Sequence, residues 1–116
     1  FKDLGIEAIM FDPDISEEEM LALAKPNTKL VYGETISNPL AMVLDFQKFS
    51  NVAKKLDVPL MVDNTFATPI LCKPFELGAN IVVHSTSKYM DGHAVALGGI
   101  IVDETLIGTT VNSLIL

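Results

Sequence analysis

The amino-acid sequence predicts an α/β protein with a mostly parallel sheet flanked by helices. Apolar runs of strand length alternate with helical patterns along the 116 residues, which is typical of successive βα units. Polar residues also gather just after the apolar runs, where the carboxyl ends of parallel strands would meet. The length is sufficient for one small domain.

The first predicted elements are a strand and a capped helix. The apolar segment 6–11 is predicted to be a strand that ends at the turn Asp12-Pro13-Asp14. Ser16 then begins a helix, and Glu19 three positions later completes a capping box. Pro26 ends this helix, because proline cannot continue the backbone hydrogen bonding.

The middle of the chain predicts two more strands and a helix between them. Residues 30–34 form a short strand, and Asp45 caps a helix with apolar residues at helical spacing. Residues 59–62 are continuously apolar, as in a buried parallel strand. A helical turn over residues 75–77 ends at Gly78, since glycine favours the position after a helix.

Two further strands are predicted at residues 81–84 and 99–102. The 14 residues between them, 85–98, hold no long helix, so an antiparallel or irregular connection is expected rather than a helical crossover. Residues 104–116 show no clear period and remain an unassigned tail. Residues 1–103 are therefore taken as one unit.

Composition excludes several classes of function. A net charge of −7 without a cluster of basic residues argues against nucleic acid or an anionic membrane as the partner. The single cysteine, Cys72, permits no intramolecular disulfide and suits a reducing cytoplasm. No apolar run is long enough to span a bilayer. The chain begins at Phe1 rather than Met, which suggests a fragment or a trimmed chain.

The polar residues after the second, third and fourth predicted strands form the candidate site, because open α/β sheets bind ligands at this edge. They are Glu34, Asn38, Asp63, Asn64, Thr65, Ser85, Ser87 and Lys88.

The chemistry of these residues leaves alternatives open. Asp63 is either a cap at a strand end or a carboxylate that faces a cation such as a pyridinium nitrogen. The hydroxyls of Ser85 and Ser87 could hold a phosphate, or they belong to an ordinary solvated loop. Lys88 is either a surface lysine or a desolvated amine that attacks carbonyls. Asn38 starts a turn before Pro39, or its amide reaches a ligand hydroxyl.

A metal site is not expected. His84 and His93 are nine positions apart, and no acidic or thiol ligand stands at metal-binding spacing from them.

Three segments together resemble the Cys/Met metabolism family of fold-type I pyridoxal-phosphate enzymes. Their order and separation match those of the family, and the likeness extends over residues 4–103. The segments are Glu34-Thr35-Ile36-Ser37-Asn38-Pro39, Val62-Asp63-Asn64-Thr65-Phe66-Ala67-Thr68-Pro69 and His84-Ser85-Thr86-Ser87-Lys88-Tyr89-Met90-Asp91-Gly92-His93.

The resemblance implies a cofactor, pyridoxal 5′-phosphate, and a role for each candidate residue. Residues 1–103 would be the central part of the cofactor-binding large domain. Lys88 would form the Schiff base and act as the catalytic residue. Asp63 would pair with the pyridine nitrogen, Ser85 and Ser87 would bind the phosphate, Asn38 would approach the 3-hydroxyl, and Thr65 would lie beside the ring.

The segments look closest to the O-acetylhomoserine sulfhydrylase branch, whose members replace the acetate of O-acetyl-L-homoserine with sulfide or methanethiol. The implied partners are a small amino-acid substrate and further copies of the chain in a homo-oligomer, a tetramer by resemblance. The chain has no arginine and no counterpart of several other groups of the family's site, so the isolated chain is expected to be inactive.

Three alternatives remain. The near one is a cystathionine or methionine γ-lyase of the same family. The others are a non-catalytic α/β module that binds a small ligand and an inert folding fragment.

Overall fold

The sheet has four strands in the spatial order β1-β2-β3-β4, in a computed structural model that describes residues 2–104. The strands are β1 (Val31–Glu34), β2 (Leu60–Asp63), β3 (Ile81–Ser85) and β4 (Gly99–Asp103). The first three are parallel, and β4 is antiparallel to β3. A mostly parallel α/β sheet is therefore confirmed, as is the antiparallel connection that the short segment 85–98 predicts.

Two helices have the sequence-predicted caps. Helix α1 (Glu17–Leu23) begins after Ser16, whose Oγ accepts from the Glu19 amide at 3.2 Å while its own amide donates to the Glu19 carboxylate at 2.9 Å. Helix α2 (Phe46–Leu56) begins after Asp45, whose carboxylate accepts from the Lys48 amide at 3.0 Å. These side chains satisfy amides that a helix N-terminus leaves unpaired.

Two short helices lie between β2 and β3. Helix α3 (Thr68–Leu71) was not predicted, whereas the predicted turn is a 3₁₀ helix, Pro74–Leu77, that ends at Gly78 with a φ of 96°. A Cβ at Gly78 would lie 2.5 Å from the Ser50 Oγ of α2. Glycine is thus required here both by the backbone and by the close approach of α2.

The core lies between the sheet and the helices. Leu60 and Val62 of β2 are fully buried beneath α2, which contributes Val52. The alternate residues of the strands lie on the opposite face, where Tyr32 of β1 keeps 47 % of its surface exposed. The continuous apolar run of β2 predicts burial on both faces, but the described helices contribute core residues to one face. The core residues are Met20, Val31, Phe49, Val52, Ala53, Leu60, Val62, Ala79 and Val82.

The strand predicted at residues 6–11 is wrong. Residues 6–10 pair with no described strand, and Met10 is 90 % exposed. Only Phe11 joins the core, with its ring centroid 6.0 Å from that of Phe49. An apolar run becomes a strand only where a neighbour supplies the ladder hydrogen bonds, and no described neighbour does so here.

Of the unassigned tail, only Glu104 is described; its amide donates to the Asn80 carbonyl at 2.9 Å. Residues 105–116 lie outside the described part of the chain. Within residues 2–104, none of the helices has the length and apolar character that a membrane span requires.

Candidate active site

The carboxyl ends of β1, β2 and β3 lie side by side. Asp63 is paired with Glu34 of β1 on one side and with Val83 of β3 on the other. A cavity of about 380 Å³ opens at this edge, within the usual range of small-ligand sites. It is lined by Asp63, Val83, His84, Ser85, Gly98, Gly99, Ile100 and Ile101. Two of the predicted site residues, Asp63 and Ser85, therefore share one cavity.

The carboxylate of Asp63 is oriented by the backbone that follows β2. Its Oδ1 accepts from the Thr65 amide at 2.8 Å, which fixes the carboxylate where the chain leaves the sheet. On the neighbouring strand, burial together with the charges of Asp63 and Glu34 raises the pKa of the Tyr32 phenol to about 12. The paired strand ends thus carry two carboxylates, which favour a cationic group of a ligand at this edge.

Ser85 is tied to the loop that follows β2. Its amide donates to Thr65 Oγ1 at 2.7 Å, so the two predicted cofactor-binding residues Thr65 and Ser85 contact each other directly. Thr65 does not line the cavity itself. It is hydrogen-bonded to two residues that do, Asp63 and Ser85.

Ser87 closes the loop that connects β3 to β4. Its Oγ accepts from the Gly98 amide at 2.9 Å and lies 3.3 Å from the Gly98 carbonyl oxygen, to which it donates. The same carbonyl accepts from the Thr86 amide at 3.0 Å. A Cβ at Gly98 would lie 2.6 Å from Thr86 Oγ1. The Ser87 hydroxyl thus fixes Gly98, which lines the cavity, but Ser87 does not line the cavity itself.

Lys88 and Asn38 are both exposed and lie outside the cavity lining. The Lys88 amide donates to the Ser85 carbonyl at 3.3 Å, which places Lys88 in the turn directly after β3. The described residues do not bury its amine. Asn38 lies in the predicted turn, where its backbone amide donates to Glu34 Oε2 at 3.3 Å.

The turn that carries Lys88 also contacts the loop after β2. The ring of Tyr89 meets that of Phe66 edge to face, with centroids 5.6 Å apart. Such a pair contributes roughly 0.5–1.5 kcal/mol beyond its area.

A row of buried polar side chains lies beneath the site. Asn64 is a predicted site residue, but the burial of this row was not predicted. Thr35, Asn64 and His84 follow the core positions of β1, β2 and β3 on the helix-covered face, and Asn64 is 0 % exposed. Asn64 Oδ1 accepts from Thr35 Oγ1 at 2.8 Å, and its Nδ2 donates to the Cys72 carbonyl at 3.0 Å. The signal was available, because Asn64 continues the alternation of Leu60 and Val62.

His84 is the third member of this row. Burial lowers the pKa of its imidazole, and the nearby Asp63 carboxylate acts in the opposite direction. Its Nδ1 is buried without a hydrogen-bond partner among the described residues. His84 is also among the residues that line the cavity. In residues 2–104, no three His, Cys, Asp or Glu side chains group closely enough to hold a metal ion.

The residues at the cavity fit a flat aromatic cation that bears an anionic group. Asp63 supplies a carboxylate for a protonated ring nitrogen. Ser85 supplies a hydroxyl for the anionic group, and Val83 and Ile101 supply apolar contact. No lysine or arginine is among the described residues that line the cavity, so uncharged hydrogen-bond donors would make the contacts with the anionic group here.

Comparison with known proteins identifies a family. A family model described as Cys/Met metabolism PLP-dependent enzyme matches residues 1–114. The chain is 46 % identical over 99 residues to cystathionine gamma-lyase of Bacillus subtilis, covering 85 % of this chain and 26 % of that protein. It is 43 % identical over 100 residues to O-acetyl-L-homoserine sulfhydrylase of Corynebacterium glutamicum, covering 86 % and 23 %.

A solved structure has the same fold. The crystal structure of a Campylobacter jejuni protein described as O-acetylhomoserine (thiol)-lyase matches with a TM-score of 0.84 and 40 % identity, covering 88 % of this chain and 25 % of that chain. That protein contains N′-pyridoxyl-lysine-5′-monophosphate. The chain thus spans about a quarter of the length of each of these three proteins.

Proposed function

The chain belongs to the Cys/Met metabolism PLP-dependent enzyme family, and we propose that it is a segment of a transferase that replaces the acetate of O-acetyl-L-homoserine with sulfide or methanethiol. Residues 1–103 would be the central part of its cofactor-binding large domain. The observation that carries the proposal is the cavity at the strand ends, which Asp63 and Ser85 line together. Lys88 follows Ser85 by three positions and its amide bonds back to the Ser85 carbonyl.

The proposed roles follow from the chemistry of each side chain. Asp63 would pair with the protonated ring nitrogen, because its carboxylate ends β2 at the cavity. Ser85 at the end of β3 and Ser87 in the turn after it would donate to the phosphate. Asn38 would approach the ring hydroxyl, and Thr65 would lie beside the ring. Lys88 would hold the cofactor covalently through its Nζ; the pyridoxyl-lysine of the Campylobacter jejuni protein supports a lysine in this role.

The pyridoxal phosphate, when bound, withdraws electrons from the substrate's α-carbon. The chain's own residues supply the proton transfers and the charge. Lys88, once the substrate amine has displaced it, would remove the α-proton and then move protons at the β-carbon. Asp63 would keep the ring nitrogen protonated throughout. Departure of acetate from the γ-carbon and addition of the thiol would follow.

A lyase of the same family is the second candidate. It is supported by the cystathionine gamma-lyase relative, since its identity to this chain is similar to that of the sulfhydrylase relative. We favour the transferase because the segments around Asp63 and Asp91 resemble the sulfhydrylase branch most closely. The two reactions differ in their products, so an assay separates them.

Several groups needed for catalysis would lie elsewhere in the full-length protein or in a neighbouring copy. The chain has no arginine to bind a substrate carboxylate, and no lysine is among the described residues that line the cavity. We therefore propose that the isolated chain is inactive. From the family resemblance we also propose that the full-length enzyme is a homo-oligomer, a tetramer, and, from the single cysteine, that it is cytoplasmic. A non-catalytic module that binds a small ligand is the alternative of another class.

The test uses the full-length protein. Borohydride reduction of the cofactor-loaded protein, followed by peptide mapping, should place the pyridoxyl group on Lys88. An adduct on Lys54 or Lys73 would show that Lys88 is not the cofactor lysine. With O-acetyl-L-homoserine and sulfide, the transferase should release acetate without ammonia. Ammonia release from cystathionine or methionine at a greater rate would indicate the lyase. The isolated 116-residue chain serves as the comparison and should show no turnover in either assay.

A further inference from the structure

Thr65 makes two hydrogen bonds that join two different strand ends. Its amide donates to Asp63 Oδ1 at 2.8 Å, and its Oγ1 accepts from the Ser85 amide at 2.7 Å. Asp63 ends β2 and Ser85 ends β3. Both residues line the same cavity, whereas Thr65 does not.

The hydroxyl of Thr65 takes the place of a backbone acceptor. The pairing of β2 with β3 continues one residue past the strand, where the Asn64 amide donates to the Val83 carbonyl at 2.9 Å. The Asn64 carbonyl would be the next acceptor, but it accepts from the Thr68 amide at 2.9 Å, at the start of α3. The chain thus turns away from the sheet at this point, and a side-chain oxygen satisfies the Ser85 amide.

We propose that Thr65 is a positioning residue whose hydroxyl fixes Ser85, and with it the phosphate side of the cofactor site, relative to Asp63 on the ring side. The proposal rests on the proposed function, because it takes Asp63 and Ser85 as the two ends of the cofactor site. It assigns the Thr65 hydroxyl a role in the spacing of the site rather than a contact with the reacting atoms.

The two bonds of Thr65 can be separated by substitution. Thr65→Val removes the hydroxyl at similar volume but keeps the backbone amide that bonds Asp63. The ring side of the site should therefore remain in place while the Ser85 amide loses its acceptor. Thr65→Ser keeps the hydroxyl and loses only a methyl group, so it is the matched control.

The first measurement is hydrogen exchange in the full-length protein without cofactor, read from a peptide that spans residues 81–88. Thr65→Val should exchange faster in this peptide than the parent, and Thr65→Ser should match the parent. Unchanged exchange in Thr65→Val would show that the hydroxyl does not hold the Ser85 amide.

The second measurement compares the binding of pyridoxal phosphate and of pyridoxal, which lacks the phosphate. Thr65→Val should weaken pyridoxal phosphate roughly three- to tenfold, the usual effect of one hydrogen bond, and pyridoxal less than twofold. Equal losses for both ligands would mean a general structural role and would overturn the proposal. If Thr65→Val does not fold, Thr65→Ser provides the test. A parent-like preference for pyridoxal phosphate over pyridoxal in Thr65→Ser supports the role of the hydroxyl, and loss of that preference refutes it.

The outcomes also separate this inference from the proposed function. A parent protein that binds no pyridoxal phosphate would refute the proposed function itself. A parent that binds it, with a Thr65→Val variant that is unchanged in both measurements, would refute only the role of Thr65.

Discussion

The bond between Thr35 and Asn64 is the most directly testable feature of the buried polar row. Thr35→Val would leave Asn64 Oδ1 without its donor at 2.8 Å, in a side chain that is 0 % exposed. An unsatisfied buried polar group costs about 1–3 kcal/mol, so we expect a loss of about 2 kcal/mol. Asn64→Leu keeps the volume but removes the acceptor of the Thr35 hydroxyl and the donor of the Cys72 carbonyl. Because Cys72 is half-buried, its carbonyl can recruit water, and we expect a loss of about 3 kcal/mol.

The double variant separates the shared bond from the individual effects. Thr35→Val with Asn64→Leu removes both partners at once, and such paired removal is much less costly than leaving one partner unsatisfied. The loss should therefore be about 2 kcal/mol, below that of Asn64→Leu alone, rather than the sum of about 5 kcal/mol, which gives a coupling of about 3 kcal/mol.

The assay is hydrogen exchange of a peptide covering residues 60–66 in the full-length protein, which reports the free energy of local opening. Thr28→Val is the matched control, because the Thr28 hydroxyl accepts from the Lys25 amide at 2.9 Å in a surface turn. It should cost less than about 1 kcal/mol and show no coupling to Asn64→Leu. Losses for Thr35→Val and Asn64→Leu that add within about 0.5 kcal/mol would refute the reasoning.

Two further predictions concern Asp63. In the full-length enzyme, Asp63→Asn should lower turnover roughly ten- to hundredfold, since a charge-assisted contact is lost. The control is Asp57→Asn at the exposed end of α2, which should match the parent. Turnover of Asp63→Asn within twofold of the parent would contradict the proposed role of Asp63. In the protein without cofactor, the difference in ultraviolet titration between the parent and Tyr32→Phe should give a phenol pKa of about 12, and Asp63→Asn should lower that pKa because one of the raising charges is gone. The pKa of the Tyr32 phenol in the folded protein lies above the ordinary value of about 10. The stability linked to this phenol is therefore fully present below pH 10 and is lost as pH rises from about 10 to 12. A Tyr32 pKa at the ordinary value would show that this face of the sheet is fully solvated.

Local signals predicted the elements whose cause is local. The caps of α1 and α2 depend on side chains within three residues of the amides they satisfy, Ser16 with Glu19 and Asp45 with Lys48. Gly78 is required by its own positive φ. Such features can be predicted without any knowledge of the fold.

Features that depend on distant contacts were predicted poorly. The apolar segment 6–11 has the composition of a strand, but strand formation requires a partner that composition cannot identify. The burial of Asn64 and its bond to Thr35, 29 positions earlier in the chain, likewise follow from how three strand ends meet. Polar residue types favour loops on average, so propensity alone argues against burial at these positions.

The sequence by itself determined the α/β class, the sheet edge at which the candidate site residues gather, and the three segments that resemble the family. Hydrophobic spacing and residue type encode these properties along the chain. Only the tertiary structure decided that Asp63 and Ser85 share a cavity while Lys88 is exposed beside it, and that Thr65 links the first two. These relations depend on the register of β2 against β3, which brings together residues about 20 positions apart and is set by packing rather than by any local pattern.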